Sequence, residues 1–287
     1  MYTLFKDFEK IFLNNLKGSV GMKIIIIAAG PSKRLRHLTE DLPKCMLSIN
    51  GKPIIQNIIE LSRKNEVKDI SIIRGYKKEK ISFPDVTYFE NTDFWNNNIL
   101  HSLMFARKKI EEAIKNKEDV IITYSDIWYT ESVIKALLKS KEAIASVADT
   151  DWEDHYNERT DHPISEAEKV IMDDNKKILK IGKHIFTEGI AKDKQGEFIG
   201  LWKFTPKGAK IFLKHFDNLN STLKMTDSYQ NAKEWQKSYI TDIFQEMIDN
   251  GEEIYCIPIK RNWAEFDTVQ DIKKFDGRIP QDLLKKF

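Results

Sequence analysis

The chain has 287 residues, 41% of them hydrophobic, which is enough for one large α/β domain or two small ones. Lys plus Arg number 46 against 44 Asp plus Glu, and a net charge of +2 supplies no field that argues for nucleic acid or an anionic membrane as the main partner. Two cysteines are too few for a disulfide framework or a zinc cluster and suit a reducing cytoplasm, and no apolar run is long enough to span a bilayer.

Residues 1–21 carry Leu4, Phe5, Phe8, Ile11, Phe12 and Leu16 at roughly helical spacing among charges. The expectation is an N-terminal extension forming an amphipathic helix, packed on the domain or on a second subunit of a homo-oligomer. Lys23 to Leu35 then reads as a buried strand running into a basic loop. Its successive isoleucines cannot present one wet and one dry face, so the strand belongs in the middle of a parallel sheet. The loop that follows sits at the carboxyl end of that strand, where open α/β sheets bind ligands, and it offers small residues and then Lys33 and Arg34.

Asn50-Gly51 is a turn, Pro53 suits the first turn of a helix reaching about Asn65, and Asp69 to Tyr76 is a second strand, which completes a right-handed βαβ unit. Val86 to Phe89 reads as a short strand, Ile99 to Ile114 as a helix, and Val120 to Tyr124 as another buried strand that ends at Asp126. Glu131 to Lys139 is a helix and Ala143 to Ala148 a strand. Within an acceptor-site or lid region 149–203, the charged stretch Asp149 to Gly196 reads as an insertion containing a hairpin, Ala167 to Met172 with Lys177 to Lys180, before strand Phe198 to Phe204. Helices at Pro206 to Phe212 and Ile240 to Ile248 and a strand at Glu253 to Ile259 follow. The alternation implies a three-layer α/β domain over residues 22–287.

Several stretches together resemble the nucleotidyltransferase (NTP transferase) family. The family opens with approximately L-A-A-G-x-G-S/T-R-L/M and then P-K-x-L/M, matched here by Ala28, Ala29, Gly30, Arg34, Leu35, Pro43, Lys44 and Met46. Ser32 replaces the second glycine and Lys33 the small hydroxyl residue. The resemblance implies a Rossmann-like, GT-A-like fold with a mixed, mostly parallel central sheet. It also implies catalytic roles for Lys44 and Arg34 on the triphosphate and nucleotide contacts from Ala28, Ala29 and Gly30. By the same match Asp126 and, in the W-x-E/D-x-D-T-x-x-D-like segment Trp263 to Asp271, Asp267 become Mg²⁺ ligands. Hard carboxylate oxygens suit Mg²⁺. Asp267 and Thr268 read equally as the N-cap of a helix from Val269.

Within the family, the segment Asn91 to Leu103 is similar to phosphocholine and phosphonate cytidylyltransferases, as are 159–163, 166–170, 196–201 and 239–242. That similarity makes Asn98 and Ser102 base or sugar contacts, although both also read as helix-capping residues. It further implies CTP and a small phosphate- or phosphonate-bearing acceptor as substrates. For the acceptor, Trp152, Tyr156, Glu168, Lys169 and Trp202 are the candidates. Aromatic faces among Trp95, Trp128, Trp152, Trp202, Trp263, Tyr129 and Tyr156 suit a choline-type cation. The acidic run Asp149, Asp151, Glu153 and Asp154 suits an amine and reads equally as a solvated charge run. A sugar-1-phosphate nucleotidyltransferase using UTP, dTTP or GTP, and a non-catalytic nucleotide-binding domain, are the alternatives.

Overall fold

The structure, a computed structural model, describes residues 21–275; the expected N-terminal helix lies outside the described residues. Strand β1, Met22–Ala28, runs through the middle of the sheet. It pairs in parallel with β4, Asp69–Arg74, on one side and with β6, Asp119–Tyr124, on the other. Ile24 and Ile26 pack on one face with the helix α1, Ile54–Lys64, while Ile25 and Ile27 pack on the other, so all four are wholly or almost wholly buried. A strand covered on both faces needs no polar side, which is why its sequence shows no alternation.

β2, Ser48–Ile49, and β3, Lys52–Pro53, form the hairpin around Asn50-Gly51, where both turn residues take positive φ. Such a turn matches the twist of its strands, and Pro53 stands just before the helix, not within its first turn. β5, Thr87–Glu90, is the parallel edge strand beyond β4.

The helix expected over 99–114 is instead two, α2, Ile99–Leu103, and α3, Arg107–Asn116, joined by a 3₁₀ turn. The backbone N–H groups of Asn98 and Leu100 donate to Gln236 and Ser238 carbonyls, which ties α2 to that loop. α3 instead joins α5, Pro206–Thr222, through the Arg107–Asp217 ion pair. One straight axis cannot meet both demands. α5 itself runs ten residues past the expected Phe212, because Leu213 and Phe216 continue the buried stripe begun by Ala209 and Phe212.

After β6, the chain makes a short strand β7, Ile127–Tyr129, then α4, Glu131–Lys139, and β8, Ile144–Asp149. In the 149–203 region, β9, Lys169–Met172, and β10, Ile178–Gly182, are the expected antiparallel hairpin and extend the main sheet through β11, Gln195–Phe204. The sheet order is β10-β9-β11-β6-β1-β4-β5, with β8 on the other edge of β11 and β12, Tyr255–Ile259, parallel to β8. β11 runs antiparallel to β6, so a mixed sheet surrounds a parallel centre. α6, Ile240–Asp249, packs on the β10 side. No helix among the described residues is long and apolar enough to cross a membrane.

Gly200 interrupts the β8–β11 register and takes a φ of +77°. The bulge lets one strand serve β6 with its second half and β9 with its first, and it turns Glu197 and Phe198 toward the carboxyl ends of the parallel strands. A Cβ here would come 2.4 Å from the Tyr124 ring. Gly200→Ala is therefore expected to cost about 1–3 kcal/mol in backbone strain and more from the clash. A urea midpoint equal to that of the parent chain would contradict this.

Candidate active site

A cavity of about 490 Å³ opens where β1 and β6 end. Ala28, Ala29 and Gly30 form part of its wall, and Arg34, Lys44, Asn98, Ser102, Asp126 and Asp267 all line it. The nucleotide and metal candidates read from sequence are thus brought together, although Asp267 stands 223 residues from Lys44.

A ribbon too short to see in the sequence brings the two acids together. β7 pairs antiparallel with β13, Trp263–Glu265, with Glu265 opposite Ile127. The Phe266 N–H then donates to the Asp126 carbonyl at 3.1 Å, so the residues that flank the ribbon meet beside the end of β6. Helix α7, Val269–Phe275, begins immediately after. The Thr268 hydroxyl accepts from Asp271 N–H at 3.2 Å, and the Asp271 carboxylate accepts from the N–H groups of Thr268 and Asp267 at 2.8 and 2.9 Å. This reciprocal cap uses Thr268 and Asp271 and leaves the Asp267 side chain for the cavity.

Lys44 sits in a 3₁₀ turn after Pro43 and is only 7% exposed. Its Nζ lies 2.6 Å from Asp126 Oδ2 and also donates to Asp267 Oδ1. Burial works against its charge, but Asp126, Asp267 and Glu265 outweigh burial and raise its pKa. Arg34, half exposed on the 3₁₀ segment Lys33–Thr39, places Nη2 2.6 Å from Asp267 Oδ2. Burial alone would lift the Asp267 carboxyl, whereas Lys44, His162 and Arg34 hold it well below the usual carboxylate range.

The sequence reading singled out the segment 159–163 without assigning it roles. His162 Nδ1 lies 2.8 Å from Asp267 Oδ2, and Arg159 bridges Glu265 and Asp271 at 2.9 Å each. Arg159 and His162 thus fix the ribbon end and the α7 cap in one network; no periodicity or spacing could have announced it.

The carboxylate oxygens here fit a hard divalent cation, although the structure also sets a His162 nitrogen among them. Asp126 Oδ1 is buried without a hydrogen-bond partner, and one ligand atom each of His162, Glu265 and Asp267 lie within 4.8 Å of one another.

Asn98 caps α2: its Oδ1 accepts from Ile99 N–H at 2.9 Å and its Nδ2 donates to the Lys237 carbonyl at 3.1 Å. Ser102 accepts from Asn91 Nδ2 at 3.1 Å. Asn98 therefore caps the helix as its capping reading expected, whereas Ser102 lies within the helix and braces Asn91 instead of capping; both border the cavity.

The acceptor candidates divide. Tyr156 and Glu168 line the cavity, and the Tyr156 hydroxyl donates to Glu197 Oε1. Trp202 does not reach it: the ring is wholly buried in the core among Tyr124, Phe198 and Phe244. Trp152 is buried against Tyr156 and Ala167, and Lys169 turns its Nζ to the Ile185 carbonyl; neither lines the cavity. The acidic run is also occupied. Asp151 and Asp154 pair with Arg261, Glu153 with Lys192, and Asp149 accepts from Trp263 Nε1. Of the aromatic set, Trp128 and Tyr129 are buried on the ribbon, whereas Trp263 and the exposed Trp95 do border the cavity.

A sheet whose parallel central strands end at a buried lysine, a half-exposed arginine and paired carboxylates defines a site for nucleotidyl transfer. Residues 24–174 match the family described as the MobA-like NTP transferase domain, and the chain belongs to that family and is a nucleotidyltransferase. It is 30% identical over 258 residues to the CTP:phosphoglutamine cytidylyltransferase of Campylobacter jejuni, covering 88% of this chain and 98% of that protein. The fold is similar to that of CTP:phosphocholine cytidylyltransferase from Streptococcus pneumoniae, with a TM-score of 0.66 and 21% identity over 90% of this chain and 99% of that one. It is also similar to the inositol-1-phosphate CTP transferase from T. maritima, with a TM-score of 0.65 and 19% identity over 94% and 96%.

Burial lifts the Glu168 carboxyl from its ordinary value of 4.5 to about 7; the Thr241 hydroxyl and Lys183 oppose the rise, and Asp242 and Glu265 add to it. The folded state therefore disfavours ionised Glu168, a destabilisation that grows from about pH 4.5 and is complete above about pH 7. Glu168→Gln is expected to melt a few degrees higher than the parent at pH 8 and at the same temperature at pH 4. Equal melting at both pH values would contradict this assignment.

Proposed function

We propose that the chain is a Mg²⁺-dependent cytidylyltransferase that joins CMP to a small phosphate- or phosphonate-bearing acceptor and releases pyrophosphate. The observation that carries this reading is the buried Lys44 ammonium held between Asp126 and Asp267, with Arg34 beside it, at the end of the central strand. Attack on an α-phosphorus builds negative charge on its non-bridging oxygens, and cations already fixed in place neutralise that charge without reorganising. Lys44 and Arg34 would take this role. The choice of CTP is supported by the C. jejuni relative, whose likeness runs almost the full length of both chains.

Asp126 and Asp267 would hold the metal ion, which when bound supplies further positive charge to the triphosphate. An acceptor phosphate or phosphonate oxygen is anionic at neutral pH, so it attacks without a general base. The protein's task is then to bring two anions together in line. Small residues Ala28, Ala29 and Gly30 let the triphosphate approach the backbone, and residues 149–203 would build most of the acceptor half.

The test is magnesium-dependent pyrophosphate release with CTP, UTP, GTP, dTTP and ATP, each crossed with small phosphates, phosphonates and sugar-1-phosphates. Turnover confined to CTP is expected, and Lys44→Met, with an unchanged circular dichroism spectrum, should lose about 10²–10³-fold in rate. Turnover with UTP or dTTP and a sugar-1-phosphate would overturn the cytidylyl reading, and a Lys44→Met enzyme of parental rate would overturn the role of Lys44.

A further inference from the structure

We propose that the acceptor carries, at the end away from its phosphorus, an ammonium group bearing N–H bonds, and that Glu197 and Glu168 recognise it. The inference rests on the cytidylyltransferase reading and names the acceptor class for it. Glu197 lines the cavity and is only 4% exposed. One of its oxygens accepts from the Tyr156 hydroxyl, while Oε2 is buried with no hydrogen-bond partner. A buried carboxylate oxygen left bare is costly, and a ligand that brings a donor relieves that cost on binding. Glu168, also in the cavity wall, accepts from Thr241 and faces the same space.

The cations near this half are committed elsewhere: Arg159, whose charge reaches Glu197, is held by Glu265 and Asp271. Lys183 pairs with Glu166 at 3.1 Å and lies 4.6 Å over the Tyr239 ring. It therefore leaves Glu197 Oε2 without a donor and occupies a face of Tyr239 that a quaternary ammonium would need. Of the other aromatic candidates for a cation, Trp152 and Trp202 are packed away from the cavity, while Tyr156, Trp95 and Trp263 border it and the Tyr156 hydroxyl is given to Glu197. A trimethylammonium group has no N–H to donate; a primary ammonium has three, and matches carboxylate oxygens that lack partners. What favours an N–H donor over ring faces alone is the Glu197 oxygen that has no partner.

The test measures binding by calorimetry and CMP transfer from CTP by product analysis, for 2-aminoethylphosphonate and phosphoethanolamine against phosphocholine and propylphosphonate. The last replaces the ammonium by a methyl group. The primary ammonium compounds are expected to bind about tenfold or more tightly than the other two, and Glu197→Gln to collapse that preference, with Glu168→Gln acting in the same direction. Phosphocholine or propylphosphonate binding as well as the primary amines, no binding of the primary amines, or a preference intact in both variants would overturn the proposal. The two readings fail separately. Preferred binding of the amines without CMP transfer would remove the cytidylyltransferase and keep the ammonium site; transfer to all four acceptors alike would keep the enzyme and remove the ammonium site.

Discussion

The candidate site is built on the buried ammonium of Lys44. Lys44 is almost fully removed from water, and an unpaired charge in that position would cost several kcal/mol. Its carboxylate partners come from the end of β6 and from the chain after β13, so pairing the charge requires distant parts of the sequence to arrive at one point. The β7–β13 ribbon and the Thr268–Asp271 cap bring them there, and Arg159 ties the ribbon end to the cap. What stabilises the charge also aims it: the same contacts point Lys44 and both carboxylates into the cavity where β1 ends.

The cavity has two electrostatic characters. Around the end of β1, Lys44 and Arg34 lie among carboxylates that tether them, an arrangement suited to polyphosphate. Toward β11, Glu166, Glu168 and Glu197 outnumber the single Lys183. Such a division aligns a ligand by charge before any close contact forms. It also places Glu168 and Glu197, whose pKa values burial raises, in one wall of the cavity, where each takes one side-chain donor from the fold, Thr241 and Tyr156 respectively.

The central strand was legible because four β-branched residues in succession admit only burial on both faces, and the cavity follows from where that strand ends. Lys44, Asp126 and Asp267 were legible as members of motifs. Their meeting was not, since it is made by strands of three residues with no period long enough to detect. The acidic run 149–154 read as open to an amine or to solvent because its partners Arg261 and Trp263 are more than a hundred residues away. Trp202 carries the same lesson: an aromatic residue beside motif residues is wholly buried and fills the core behind the cavity-lining Phe198 and Tyr124. Glu197, by contrast, gave no signal in sequence beyond lying in a segment similar to one subgroup; only its bare oxygen in the folded chain marks it.

The most direct measurement is a titration of Mn²⁺ into the full chain with CTP present, followed by electron paramagnetic resonance, for the parent, Asp126→Asn and Asp267→Asn. If the two carboxylates converge on the metal and triphosphate as described, the parent shows bound Mn²⁺ that each variant loses while keeping its circular dichroism spectrum. Parental Mn²⁺ binding in both folded variants would contradict the account.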